Sequence, residues 1–115
     1  MHEYSIVQSL LGRVEQSIRG YDVVAIRRLR VRIGALSGVD GELLRTAYEL
    51  CTPGTLLERA ALEIEDVPAR WSCPRCGRDG AAGERLSCPM CDVALALVAG
   101  DEIVLEKIDL EVNDV

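Results

Sequence analysis

"RRLRVRIGAL", residues 27–36, alternates so strictly that only one backbone period fits it. Leu29, Val31 and Ile33 fall on one side of a two-residue repeat, with Arg28, Arg30 and Arg32 on the other. Successive side chains of an extended strand point to opposite faces, so the segment reads as a β-strand with one buried face. A helix would scatter the three arginines around its circumference. The arginine row reads as a solvated face before it reads as a binding surface, because acidic strands elsewhere can pair with it across a sheet.

Outward from this strand, the flanking segments are helices. On the N-terminal side, Ile6, Leu10, Val14 and Ile18 recur at four-residue spacing, widened by Val7 and Leu11, which predicts an amphipathic helix over Tyr4–Arg19 closed by Gly20. On the C-terminal side, the turn cluster "GALSGVDG" precedes a second helix over Asp40–Cys51. Asp40 is its candidate N-cap, and Leu43, Leu44, Ala47, Tyr48 and Cys51 are its expected inner face. "TPGT" stops it, and a strand with Leu62 and Ile64 inward and Glu63 and Glu65 outward runs to about Pro68. The tail holds another strand, in which Ile103 and Leu105 share one parity while Ile108, Leu110 and Val112 share the other. The phase change near Glu106 or Lys107 predicts a bulge.

Between the last two strands lies a segment of different texture, Cys73 to Cys91, rich in Gly, Pro and Arg and poor in large apolar residues. The fold class that follows is α/β: two helices packed on a three-stranded mixed sheet, with an inserted zinc-ribbon module. The domain division is residues 1–70 plus 99–115 for the body and 71–98 for the module.

Composition agrees with a small core of aliphatic side chains. The chain has 115 residues, 49% of them hydrophobic but only 3% aromatic, with no Phe. A chain this short gains from a structural metal. The formal net charge of −6 argues against broad nucleic-acid affinity, which needs an excess of Lys and Arg. No apolar run approaches the ~20 residues of a membrane span, and the start has no signal-peptide pattern, so a reducing cytoplasm is expected.

In that compartment Cys73-x2-Cys76 and Cys88-x2-Cys91 read as metal knuckles rather than disulfides. Two facing knuckles give tetrahedral thiolate coordination, suited to zinc first and to an iron–sulfur or rubredoxin-like iron centre second. Four protein ligands leave no open position for a substrate, so the metal is expected to be structural. Cys51, the fifth cysteine, reads as a small buried hydrophobe. Arg70, Arg75, Arg78 and Arg85 against Asp79, Glu84 and Asp92, with Trp71 alongside, give weak support for nucleic-acid contact.

His2 is the only histidine. At a frayed end it would mean nothing. Yet a terminal amine, deprotonated backbone amides and an imidazole can form a nitrogen-rich square-planar set, the geometry of Ni(II) or Cu(II).

Together, "MHEYSIVQSLL", "VRIGALSGVDGELLRTAYE", "ALEIEDVPARWSC" and the double CxxC make the chain resemble, over nearly its whole length, the HypA family of nickel metallochaperones for [NiFe]-hydrogenase maturation. The resemblance implies an N-terminal nickel site with His2 as ligand and Met1 and Glu3 in the same motif, and a zinc site of Cys73, Cys76, Cys88 and Cys91. It implies Zn(2+) as structural cofactor and Ni(2+) as cargo, handed with a HypB-type GTPase to the hydrogenase large subunit, and in some relatives to urease. Met90 stands where a polar residue is common. The extra histidines that some relatives carry near the zinc are absent, which puts in doubt a pH-sensing role for that site. No catalytic histidine set or Gly-rich phosphate loop occurs, so no enzymatic activity is expected. The rival reading is a zinc-ribbon adaptor for nucleic acid or a protein; a rubredoxin-like electron carrier is a third.

Overall fold

The computed structural model describes residues 2–80 and 86–113, with the backbone alone at residue 2. Two helices, α1 (His2–Ser17) and α2 (Gly41–Cys51), accompany six strands: β1 (Val23–Gly34), β2 (Ala61–Val67), β3 (Arg70–Ser72), β4 (Asp79–Gly80), β5 (Ala96–Ala99) and β6 (Ile103–Val112). The mixed α/β class expected from the sequence is present. The strands divide into two three-stranded sheets, ordered β2-β1-β6 and β4-β3-β5. In the first, β1 is central, parallel to β2 and antiparallel to β6.

The arginine-bearing strand is longer than its alternation predicts, because bulges break the period. Ile26 pairs with Leu110 and Arg28 with Asp109, so Arg27 is an extra residue on β1. That inserted residue brings Ile26 and Leu29 to the same buried side although they are three apart. On β6 the extra residue is Glu106, between the pairs Arg30–Lys107 and Val31–Leu105. The expected phase change of the tail falls there.

One cluster of buried side chains draws on both helices and on this sheet. Val7, Leu10, Leu11 and Val14 come from α1; Ile26, Leu29, Val31 and Ile33 from β1; Leu44, Ala47 and Tyr48 from α2; and Leu62 from β2. Helix α1 begins two residues earlier than the apolar stripe predicts, and its regular part ends at Ser17, with Gly20 at φ +89° in the turn beyond. Asp40 caps α2 as expected, its carboxylate accepting from the amides of Glu42 and Leu43.

Two inward assignments on α2 need correction. Leu43 is 56% exposed, since a helix this short presents only the Leu44–Ala47–Tyr48 stripe to the core. Cys51, at the last turn, is half-buried and packs against the core's margin. The place of a missing core residue is taken by Leu57, fully buried in the turn-rich link after α2. Tyr48 holds that link in place: its hydroxyl donates to the carbonyl of Ala60 at 2.8 Å. Burial pushes the phenol up to about 12, so it stays a donor throughout the physiological range.

The two sheets meet at a crossing of three backbones. Gly34 donates to the carbonyl of Glu102 (2.8 Å), Ala35 to Val67 (2.8 Å) and Leu36 to Gly100 (2.7 Å). A side chain on Gly34 would collide with the backbone of Gly100, and one on Gly100 would meet Ala69 Cα at 2.6 Å. Both links between the sheets therefore thread a gap that only glycine leaves open.

Candidate metal centre

Each CxxC forms one tight knuckle, and the two are alike bond for bond. In the first, Cys73 donates its amide to Arg78 and accepts at its carbonyl from Gly77, at 2.8 and 2.9 Å. In the second, Cys88 donates to Val93 and accepts from Asp92, both at 2.8 Å. The residue after the second cysteine must adopt positive φ to close such a turn. Gly77 does so at +77° and Asp92 at +53°. A glycine directly after a CxxC is a sequence signal for such a turn, because it has no Cβ to oppose positive φ. Asp92 was read only as a charge, although Asp tolerates the left-handed region better than most residues.

The strands β3 and β4 flank the first knuckle, and a bridge between Ser87 and Ala94 closes the second. This brings the sulfurs of Cys73, Cys76, Cys88 and Cys91 all within 4.8 Å of one another. A tetrahedral zinc with Zn–S bonds of ~2.3 Å needs sulfurs about 3.8 Å apart. Cys76 Sγ and Cys88 Sγ lie 3.8 Å apart. The donor set and its spacing therefore fit zinc.

Backbone amides tune the sulfurs. The N–H groups of Cys76 and Arg75 point at Cys73 Sγ from 3.5 and 3.4 Å. They hold that thiol down to about 6, against its usual value near 9. Cys91 goes the other way: burial first, then the neighbouring sulfurs of Cys76, Cys73 and Cys88, push its thiol up to about 12. Four thiols packed this closely cannot all ionise without a cation among them, so metal entry must expel protons. All five cysteines are free, which leaves the dithiol pairs uncrosslinked.

The second expected site is placed only in part. Met1 and the His2 side chain lie outside the described residues, as do Glu84 and Arg85 of the cysteine segment. Glu3 sits in the first turn of α1.

The arginine row offers no free cationic surface. Arg28 contacts Glu63 at 2.7 Å and Asp109 at 3.1 Å; Arg32 lies 3.4 Å from Glu65 and 3.9 Å from Glu106; Arg30 lies 3.9 Å from Glu106. Its arginines are matched by carboxylates of β2 and β6, as a solvated face predicts.

Comparison with known proteins agrees with this geometry. Residues 1–110 match the family described as "Hydrogenase/urease nickel incorporation, metallochaperone, hypA". The chain is 38% identical over 112 residues to the hydrogenase maturation factor HypA of Nitrosospira multiformis, covering 96% of this chain and 97% of that one. It is 38% identical to the HypA of Streptomyces avermitilis over 115 residues, covering 96% and 88%. Among solved structures, the solution structure of a HypA protein superposes with a TM-score of 0.77 at 26% identity, covering 96% and 97%. That of the Ni metallochaperone HypA from Helicobacter pylori gives 0.71 at 27% identity, covering 94% and 96%.

Proposed function

Because this chain belongs to the HypA family of metallochaperones for hydrogenase/urease nickel incorporation, we propose that it captures Ni(II) at its amino terminus through Met1, His2 and Glu3 and delivers it to a [NiFe]-hydrogenase large subunit. The His2 imidazole is the side-chain ligand, and the Met1 amine and the first backbone amides complete a four-coordinate, nitrogen-rich sphere. The observation that carries the reading is that α1 begins at His2. The amides of an α-helix's first turn have no intrahelical acceptor, so those of residues 2 and 3 can lose a proton to a metal without breaking a helical hydrogen bond.

In the same reading, Cys73, Cys76, Cys88 and Cys91 hold a structural Zn(2+), whose chemistry is to cross-link the two knuckles as thiolates. Residues 71–98 form the zinc domain, and residues 1–70 with 99–115 the nickel-binding α/β domain, its helices on one face of its sheet. The chain works in the cytoplasm and performs no catalysis of its own. A HypB-type GTPase docks on the body, close to the amino terminus, and urease maturation is a second destination for the metal. The adaptor reading gains nothing from the neutralised arginine row.

Nickel titration of three forms tests the site: the native chain, His2→Ala, and a chain acetylated at its amine. The native chain should bind about one nickel, more weakly as pH falls because protons compete for every nitrogen ligand. His2→Ala should lose tight binding while zinc content and fold stay unchanged. Acetylation should weaken nickel although the imidazole remains. Tight, undiminished binding by His2→Ala would overturn the site.

A further inference from the structure

We propose that the outer edge of β5 and the cleft beside it form a docking site for an extended segment of a partner protein, one that alternates apolar residues and carries Lys or Arg. β5 ends the order β4-β3-β5, and its edge away from β3 has no ladder partner among the described residues. Sheets usually guard such an edge with charge or proline. Here β5 itself, "ALVA", contains neither, and Val98 within it is 50% exposed; residues 93–95 just before it already bond to the Leu86–Cys88 backbone.

A cleft of about 320 Å³ lies against β5, bounded by Arg32, Val67, Val98, Val104, Asp101 and Glu102. Its floor is the end of the outward face of the β2-β1-β6 sheet. Over most of that face arginines meet carboxylates, but beside β5 the same face carries two valines. Val104 pairs with Arg32, and Val67 follows Glu65 by two residues, so both share the arginines' side. Outward-facing valines at the one end of a charged lattice that borders an unguarded strand are explained by something apolar lying over them. A strand added to β5 would place alternate side chains on this floor, with main-chain bonds supplying affinity and the pockets supplying selectivity.

Charge selects the occupant. Arg32 is already engaged by Glu65 and Glu106. Asp101 and Glu102 are exposed, and neither has a cationic partner among the described residues. The unneutralised charge of the cleft is therefore negative, and a basic residue fits it. A second copy of this chain fits poorly: antiparallel pairing of β5 with itself would set Asp101 and Glu102 near the other copy's Asp92.

The test uses the full, metal-containing chain and a capped hexapeptide alternating valine and lysine. Amide chemical shifts should change along residues 96–104 and at residues 65–67. Val98→Lys, a change at a half-exposed position that charges the edge, should weaken binding about tenfold. The double variant Asp101→Asn with Glu102→Gln, in an exposed turn, should weaken it about fivefold and stands as the check if Val98→Lys disturbs folding. A hexapeptide alternating valine and glutamate should not bind. Equal binding of the glutamate peptide, undiminished binding by the variants, shifts centred on residues 28–32, or the same shifts appearing with rising protein concentration and no peptide would each overturn the proposal.

Discussion

The two three-stranded sheets of this chain are held by different chemistry. The β2-β1-β6 sheet shares a continuous core of Leu, Val and Ile with two helices. Around the β4-β3-β5 sheet, the buried side chains among the described residues 71–98 are Cys73 and Cys88. The strands there are two to four residues long and could not order themselves by their own ladders. One region is folded by the removal of aliphatic surface from water, at roughly 25 cal/mol per Å². The other is folded by sulfurs brought to a common point. Each should therefore fail under a different insult.

The largest expected effect comes from removing the metal. Structural zinc sites carry apparent binding energies of about 10–16 kcal/mol at neutral pH, far more than this small sheet can supply itself. Cys88→Ser, or a strong chelator, should collapse amide dispersion across residues 71–98 while leaving that of the α/β body in place. A metal-free module that keeps its dispersion would break the comparison. The complementary insult is Leu29→Ala, a fully buried side chain at the centre of β1. It should cost about 2–5 kcal/mol in chemical denaturation of the body without changing zinc content.

Gly100→Ala tests the crossing that joins the two regions. Its φ of +99° and the approach of Ala69 leave no room for a methyl group, so a loss of about 1–3 kcal/mol is expected. Shift changes should appear in both regions at once, unlike either previous variant. The knuckles allow a finer comparison, because they share one geometry with different residues at the positive-φ position. Gly77→Ala should slow metal reloading and destabilise the loaded module by about 1 kcal/mol, and Asp92→Gly should do neither. The smallest effect belongs to the sheet's outer face. Arg27→Ala removes a 2.6 Å ion pair with Glu111 between exposed side chains, worth about 0.2–1 kcal/mol and less at high salt. A larger, salt-independent loss would mean that the charged face holds the body together as much as its core does.

Much of this was legible locally. The period of "LRVRI" announced a one-sided strand because its two faces meet different media, and the same logic located Leu62, Ile64 and the phase change at Glu106. The spacing of the cysteine pairs announced a four-thiol site because two residues are what a knuckle needs to turn back. Leu57 escaped because a buried residue in a turn-rich link has no period to betray it. Leu43 was misassigned because an apolar residue next to a buried stripe looks, in one dimension, like part of it.

What the sequence by itself determined is therefore whatever depends on neighbours along the chain: strand and helix periods, the Asp40 cap, the two knuckles and their ligand types. Tertiary structure decided what depends on neighbours across space. It chose Val24, Arg27 and Glu106 as the residues bulged out of the β1–β6 ladder, matched each arginine of the outer face to its carboxylates, and pressed Gly34 and Gly100 against neighbouring backbone where no side chain fits. The physical reason is that a backbone period is set by φ and ψ over a few residues. Register, charge pairing and close approach are set by which distant segments share one core, and no local window contains both partners.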